Sequence, residues 1–176
     1  MRACSEAPAS PGRRRLLRAL SLLPAVAWLG RPLPAPASPP RLAVTLHGAA
    51  GPRRLDAEVA RSRAERGRGL MGRDRLAEGA GMLFLYPARQ PARNGFWMYR
   101  TRIPLDIAFI DAEGRIVDIR RMTPCRAERA ADCPVTRPDA PYRAALEVNA
   151  GYFAAHDIAI GDCVSWPGDG AECGAR

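Results

Sequence analysis

Leu42, Val44 and Leu46 alternate with small or polar residues, and the alternation returns in Leu55-Asp56-Ala57-Glu58-Val59-Ala60. A period of two marks half-buried strands. The turn-rich HGAAGPRR at 47–54 lies between them, so the pair reads as an opening hairpin. At Ser62 the period changes. Ser62 and Glu65 have capping-box spacing, in which the serine accepts from a backbone N–H and the glutamate reaches back. That predicts a short helix running to Gly72. Gly67 and Gly69 weaken it by about 1 kcal/mol each, and imply that another backbone lies close. Asp74 is placed to open one more short turn.

Extended segments follow. Gly81 to Tyr86 ends at Pro87, and Phe96 to Thr101 is a second. Leu105 to Ile110 pairs with Arg115 to Ile119 through Asp111-Ala112-Glu113-Gly114, where Gly114 supplies the positive φ of a bulged hairpin. A proline-bearing loop at 122–141 leads to a strand at Tyr142 to Val148. Asn149 is placed to cap a second short helix, and Gly161-Asp162 turns the chain into Cys163-Val164-Ser165-Trp166. Many short strands and two small helices predict a mostly β (α+β) fold, a small barrel or sandwich-like domain.

The stretch from Gly95 to Gly114, GFWMYRTRIPLDIAFIDAEG, sets a carboxylate inside an apolar run. Leu105, Ile107 and Phe109 share one face of the strand, and Asp106, Ala108 and Ile110 share the other. Both faces are largely apolar, so the strand is expected to be central. Asp106 then needs a partner, because a lone buried carboxylate is costly. Arg66, Arg68 and Arg102 are the expected donors. Pro104 removes a ladder donor, which suits a sheet rim.

The charge changes the picture at one end only. The chain carries 27 basic residues, all arginine, against 18 acidic ones. The first 37 residues hold six arginines and one glutamate, which leaves 21 against 17 for the rest. Arginine alternates with acid through that body, so no single basic patch argues for nucleic acid. Arg13-Arg14-Arg15 precede the apolar run Leu16 to Leu29, and Ala35-Pro36-Ala37 resembles a cleavage site. Residues 1–37 therefore read as a signal peptide, and the run is too short for a membrane span. GRRRLLR at 12–18 also fits a twin-arginine leader. A Pro-rich spacer, RPLPAPASPP at 31–40, carries the chain through residues 38–41 into a single domain at 42–176. The expected location is periplasmic or secreted.

Cysteine usage agrees with export. Cys4 lies in the leader, and Cys125, Cys133, Cys163 and Cys173 remain. An even number in an oxidising compartment suggests two disulfides, with three pairings open. The local pairing, Cys125–Cys133 with Cys163–Cys173, would close two short loops worth roughly 2.5–3 kcal/mol each. No C-x-x-C and no His at ligand spacing supports zinc.

Three blocks stand in order: RGLMGRDRLAEGAGMLFLYP (68–87), FWMYRTRIPLDIAFIDAEGRIVDI (96–119), and LEVNAG (146–151) followed by Gly161-Asp162. Together they closely resemble the family called domain of unknown function 192, over about Leu42 to Val164. The resemblance implies a small, mostly β fold, often secreted, with no established biochemical role. This chain has Tyr99-Arg100 where the family usually has a Lys and an Asn before the threonine.

The candidate pocket groups Arg66, Arg68, Trp97, Thr101, Asp106, Glu147 and Asn149. Trp97 would offer a stacking face, and arginine a fork for a carboxylate or sugar hydroxyl. The expected role is a binding or accessory module of the cell envelope taking a small polar or carbohydrate-like ligand, without a cofactor. One alternative is a polysaccharide hydrolase using Asp106 and Glu147 as its carboxylate pair. Another is a copper-handling protein using Met71, Met82 and Met98, although buried methionines also fill core gaps. There is no G-x-S-x-G turn, phosphate loop or G-x-G-x-x-G after a strand.

Overall fold

The computed structural model describes residues 39–168 and Cys173. The expected signal peptide and the spacer up to residue 38 lie outside the described residues. Nine strands and two short α-helices follow one another. β1 (Arg41–Gly48) and β2 (Gly51–Ala60) form the opening hairpin. Its turn is only Ala49-Ala50, because both strands continue through much of HGAAGPRR. α1 (Arg63–Arg68) starts with the expected reciprocal cap, Ser62 Oγ accepting from Glu65 N and Glu65 accepting from Ser62 N. It stops at Gly69 (φ 48) rather than Gly72. No helix starts at Asp74, which instead pairs with Arg102 at 2.8 Å. The close backbone expected at these glycines is not there: a Cβ on Gly69 would touch the Phe84 side-chain ring at 3.4 Å, while Gly67 faces open space.

β3 (Ala80–Gln90) runs through Pro87 by shifting register between Leu85 and Gln90. β4 is only Phe96–Trp97, and it pairs with β7 (Val135–Thr136) in a two-stranded sheet of their own. β5 (Leu105–Ile110) and β6 (Ile116–Met122) are the expected hairpin, with Gly114 at φ 80. β8 (Tyr142–Asn149), α2 (Tyr152–Ala155) and β9 (Cys163–Ser165) complete the chain. Gly151, not Asn149, is the N-cap of α2; the Asn149 amide donates to Leu76 O and Ala77 O at 3.0 and 3.3 Å. Disulfides join Cys125 to Cys133 and Cys163 to Cys173.

Seven strands form one sheet in the order β6-β5-β8-β3-β2-β1-β9. It is not a closed barrel. Its edges meet only at one corner, where Val164 N donates to Gly114 O at 2.7 Å and Ile116 N to Asp162 O at 2.9 Å. A first apolar cluster includes Val44, Leu46, Leu83, Ala108, Ile110, Leu146, Val148 and Phe153. The opposite face of β3, β5 and β8 carries a second, built from Phe84, Phe96, Ile107, Phe109, Met122 and Tyr142. All six residues of β5 are buried, so the strand is covered on both faces as its double apolar pattern predicts.

The partner of Asp106 differs from expectation. Arg121 lies directly across the hairpin and donates through Nε at 2.6 Å and Nη2 at 3.3 Å. Gly151 N adds a third bond at 2.7 Å. Arg66, Arg68 and Arg102 are elsewhere, because β-ladder register brings residue 121 to 106 before any helix side chain can reach it. The carboxylate also holds the Arg121 guanidinium above its ordinary value, through the hydrogen bond first and charge second.

Replacing Asp106 with alanine strands the Gly151 N–H and the arginine fork beside an apolar strand. Asp106→Ala is expected to lower unfolding free energy by about 2–3 kcal/mol. Arg102→Ala, which breaks an exposed pair, should leave the midpoint unchanged within error. Urea denaturation followed by tryptophan fluorescence reads both; an unmoved midpoint for Asp106→Ala contradicts the anchoring role.

Candidate functional site

A cavity of about 560 Å³ opens over the second apolar cluster. Three local features build it. The tight end of α1 at Gly69 lays the helix across Phe84. The β4–β7 pair stands beside it, held by Cys125–Cys133, which ties the loop carrying Val135 back to the segment after β6. β8 and β3 supply the floor. Phe84, Phe96, Trp97 and Tyr86 form the walls, and Arg63, Arg66 and Arg68 project from the helix side. Phe84 and Phe96 meet edge to face at 5.0 Å. Phe109 and Tyr142 continue the ring network below, likewise at 5.0 Å. Trp97 keeps 44% of its surface exposed, an unusual fraction for so large a ring in a wall.

Glu147 lies at the floor. Its cross-strand neighbours are Met82 on β3 and Ile107 on β5, both apolar. The residue is 4% exposed. Unlike the buried Glu58 (with Arg73), Asp106 (with Arg121) and Asp118 (with Arg120), it has no salt bridge or hydrogen-bonding side chain partner among the described residues. Burial alone pushes its carboxyl from the ordinary 4.5 up to about 8. The Thr101 side chain, also buried, lines the same cavity. Thr101 N donates to Met98 O at 3.1 Å, which turns the chain inward there.

The arginines differ in their commitments. Arg66 donates to the Arg61 carbonyl and to Leu85 O at 3.0 Å, and its guanidinium stands 4.6 Å from the Tyr86 ring centroid. The side chains of Arg63 and Arg68 make no ion pair or hydrogen bond among the described residues. Arg68, Met71 and Thr101 also line a neighbouring surface depression with Arg100, Arg102 and Arg126. Arg100 has a left-handed backbone, φ 57, and its carbonyl accepts from Gly72 N at 2.8 Å.

Five of the seven sequence-selected residues thus meet in one cavity: Arg66, Arg68, Trp97, Thr101 and Glu147. Asp106 and Asn149 do not. Asp106 is opposite Val148 whereas Glu147 is opposite Ile107, so the two carboxyls project from opposite faces of the sheet. They cannot flank one glycosidic bond, and the hydrolase pair is withdrawn. Asn149 spends its amide on the 76–77 carbonyls. Met82 and Met98 are packed in the second apolar cluster, while Met71 reaches the cavity wall. Among the described residues no three His, Cys, Asp or Glu side chains gather in a metal-holding group. Sequence reasoning missed Arg63, Tyr86 and Phe84 as cavity residues. It also missed Arg121, although counting back from the Gly114 turn sets residues 120–121 opposite 106–107.

The family model for domain of unknown function 192, described as an uncharacterized ACR, matches residues 44–166. Two crystal structures are similar. One, from Sinorhizobium meliloti 1021, is described as "a putative transcription regulator"; it shares 30% identity at a TM-score of 0.67, covering 75% of this chain and 98% of that one. The other is a protein of unknown function from Novosphingobium aromaticivorans DSM 12444, with 35% identity and a TM-score of 0.65 over 75% of this chain and 93% of that one. No curated protein matches.

The position of Glu147 gives stability a definite pH dependence. Folded, the carboxyl keeps its proton to about pH 8; unfolded, it releases it near 4.5. Between those values the native state binds more protons, so stability falls as pH rises. Against a Glu147→Gln variant, the parent should lose about 1.4 kcal/mol per pH unit across that window, on the order of 5 kcal/mol in all. Above it the gap stays level. Paired denaturation curves from pH 5 to 9 measure this, and a constant gap would mean that the carboxyl is ionised or solvated throughout.

Proposed function

The chain belongs to the domain of unknown function 192 family, and we propose that it is a ligand-binding module acting outside the cytoplasm. The observation that carries this is Glu147, a buried carboxyl at the floor of an aromatic-walled cavity with no side-chain partner among the described residues. Proteins pair or omit such groups when only stability is at stake. An unpaired one facing a cavity of ligand size is what a binding site retains, because the ligand completes it. Trp97 supports the same reading, since an exposed indole in the wall costs solvation yet offers a stacking face. The walls are largely aromatic, and the groups of formal charge stand on two sides, floor and helix, with Gln90 and Asn94 adding neutral polar groups at the rim. That division fits recognition of a small polar ligand better than catalysis: Glu147 has neither a second carboxyl nor a histidine among the residues lining the cavity.

Location is part of the proposal. Two disulfides fit an oxidising compartment. No helix of the described residues is long and apolar enough to cross a membrane. With residues 1–37 read as an export leader, the described domain would function in the periplasm or medium, as an accessory module of the envelope.

A thermal-shift screen of sugars, amino acids and small anions tests the binding role. A true ligand at a hundredfold excess over its Kd should raise Tm by about 5–10 °C. Trp97→Ala should erase the shift while keeping a cooperative melt. If no compound moves Tm and Trp97→Ala changes stability alone, the cavity is not a binding site.

A further inference from the structure

The cavity carries opposite potential charges on two sides, the Glu147 carboxyl from the floor and arginines from the helix. Glu147 at the floor has no side-chain partner among the described residues, and once ionised it accepts only, so a ligand that ionises it must bring an N–H or O–H. Arg63 and Arg68 at the helix side lack acceptors, so a ligand reaching them must bring an oxygen. The rings of Phe84 and Trp97 line the same cavity. Three ligand types fit less well. A plain anion is drawn to the guanidinium groups but leaves the floor carboxyl protonated and so gains nothing from its charge. A plain cation meets the arginines before it reaches the carboxyl. An uncharged polyol satisfies the hydrogen bonds yet gains nothing from the separated charges. A molecule carrying both charges answers the floor and the helix side at once.

We propose that the site takes a small zwitterion, an amino acid or short peptide, with its ammonium inward on Glu147 and its carboxylate outward on Arg63 and Arg68. This rests on the binding role proposed above and specifies its ligand class. Thr101, which lines the same cavity, offers a hydroxyl oxygen that can accept an ammonium hydrogen. The aromatic faces favour the cationic head as well. The carboxyl must be ionised to hold the ammonium. The charged and titratable groups facing it are Tyr86 from β3 and Arg63, Arg66 and Arg68 from α1; β5, β4 and β7 present none to the cavity. Because burial holds the empty site's carboxyl protonated to about pH 8, binding at neutral pH expels that proton to solvent. Proton release on binding is therefore a signature of the ammonium–carboxylate contact that a neutral or purely anionic ligand does not give.

Titration calorimetry tests this with the purified protein and four probes: L-alanine, L-alanyl-L-alanine, N-acetyl-L-alanyl-L-alanine and glucose. Buffers of different ionisation enthalpy at pH 7 count the protons. At least one free-amine probe should bind and release most of one proton. Its affinity should rise about tenfold from pH 6 to 7. N-acetylation should weaken binding at least tenfold. Glu147→Gln should remove the proton release, and Arg68→Ala should weaken binding with the release intact. If neither free-amine probe binds, or they bind without releasing protons, the zwitterion assignment is overturned. Should glucose or the N-acetyl peptide bind instead, that assignment falls while the cavity keeps its binding role. Binding by none of the four removes both.

Discussion

A strand packed on both faces gives a carboxyl no water to face, and the cost of that burial shapes this molecule. β5 and β8 run side by side through the middle of the sheet, each buried almost throughout. Two carboxyls nevertheless sit on them, one position apart in the ladder. Asp106 is answered completely: a guanidinium fork from the next strand and a backbone N–H from the start of α2. Glu147 is not answered by any side chain among the described residues and holds its proton instead. The same physical problem has two solutions, and the difference separates the structural ion pair from the proposed site.

The surrounding architecture follows from which face each residue takes. On the face of Asp106 the sheet curls until its edges touch at Gly114 and Val164, enclosing the first apolar cluster. That face is closed, and the ion pair at its end ties β6 and α2 to β5. On the face of Glu147 the covering elements are slight: a six-residue helix, a two-stranded ribbon and a disulfide-bound loop. They are too small to fill the space, and a cavity remains. α1 has no buried residue, so its position depends on its cap, on Leu70 just beyond it and on Gly69 against Phe84. The weak cover and the cavity are one fact. Elements that bury little apolar area can be held loosely enough to admit a ligand.

Much of the fold could be read along the chain. Alternation placed β1 and β2, the Ser62–Glu65 spacing placed the start of α1, and Gly114 placed the β5–β6 turn. These are local signals, set by neighbours within a few positions. The double apolar pattern of residues 105–110 also stated correctly that the strand is covered on both sides. Boundaries were less legible where tertiary pairing overrides local cues. Pro87 did not end β3, since a register shift absorbs it. Phe96 to Thr101 does not continue as a strand, because β7 offers only two residues to pair with.

The sequence by itself determined that Asp106 must be neutralised, that the cysteines suit an oxidising compartment, and that arginines and an indole flank apolar strands. Only the tertiary structure decided the partners. Ladder register chose Arg121 for Asp106, and the period-two geometry of β8 turned Glu147 to the opposite face. A one-residue change of register would exchange those roles. Polarity and spacing along a chain say which groups need partners, but the pairing of distant strands decides which groups receive them and which stay open to a cavity.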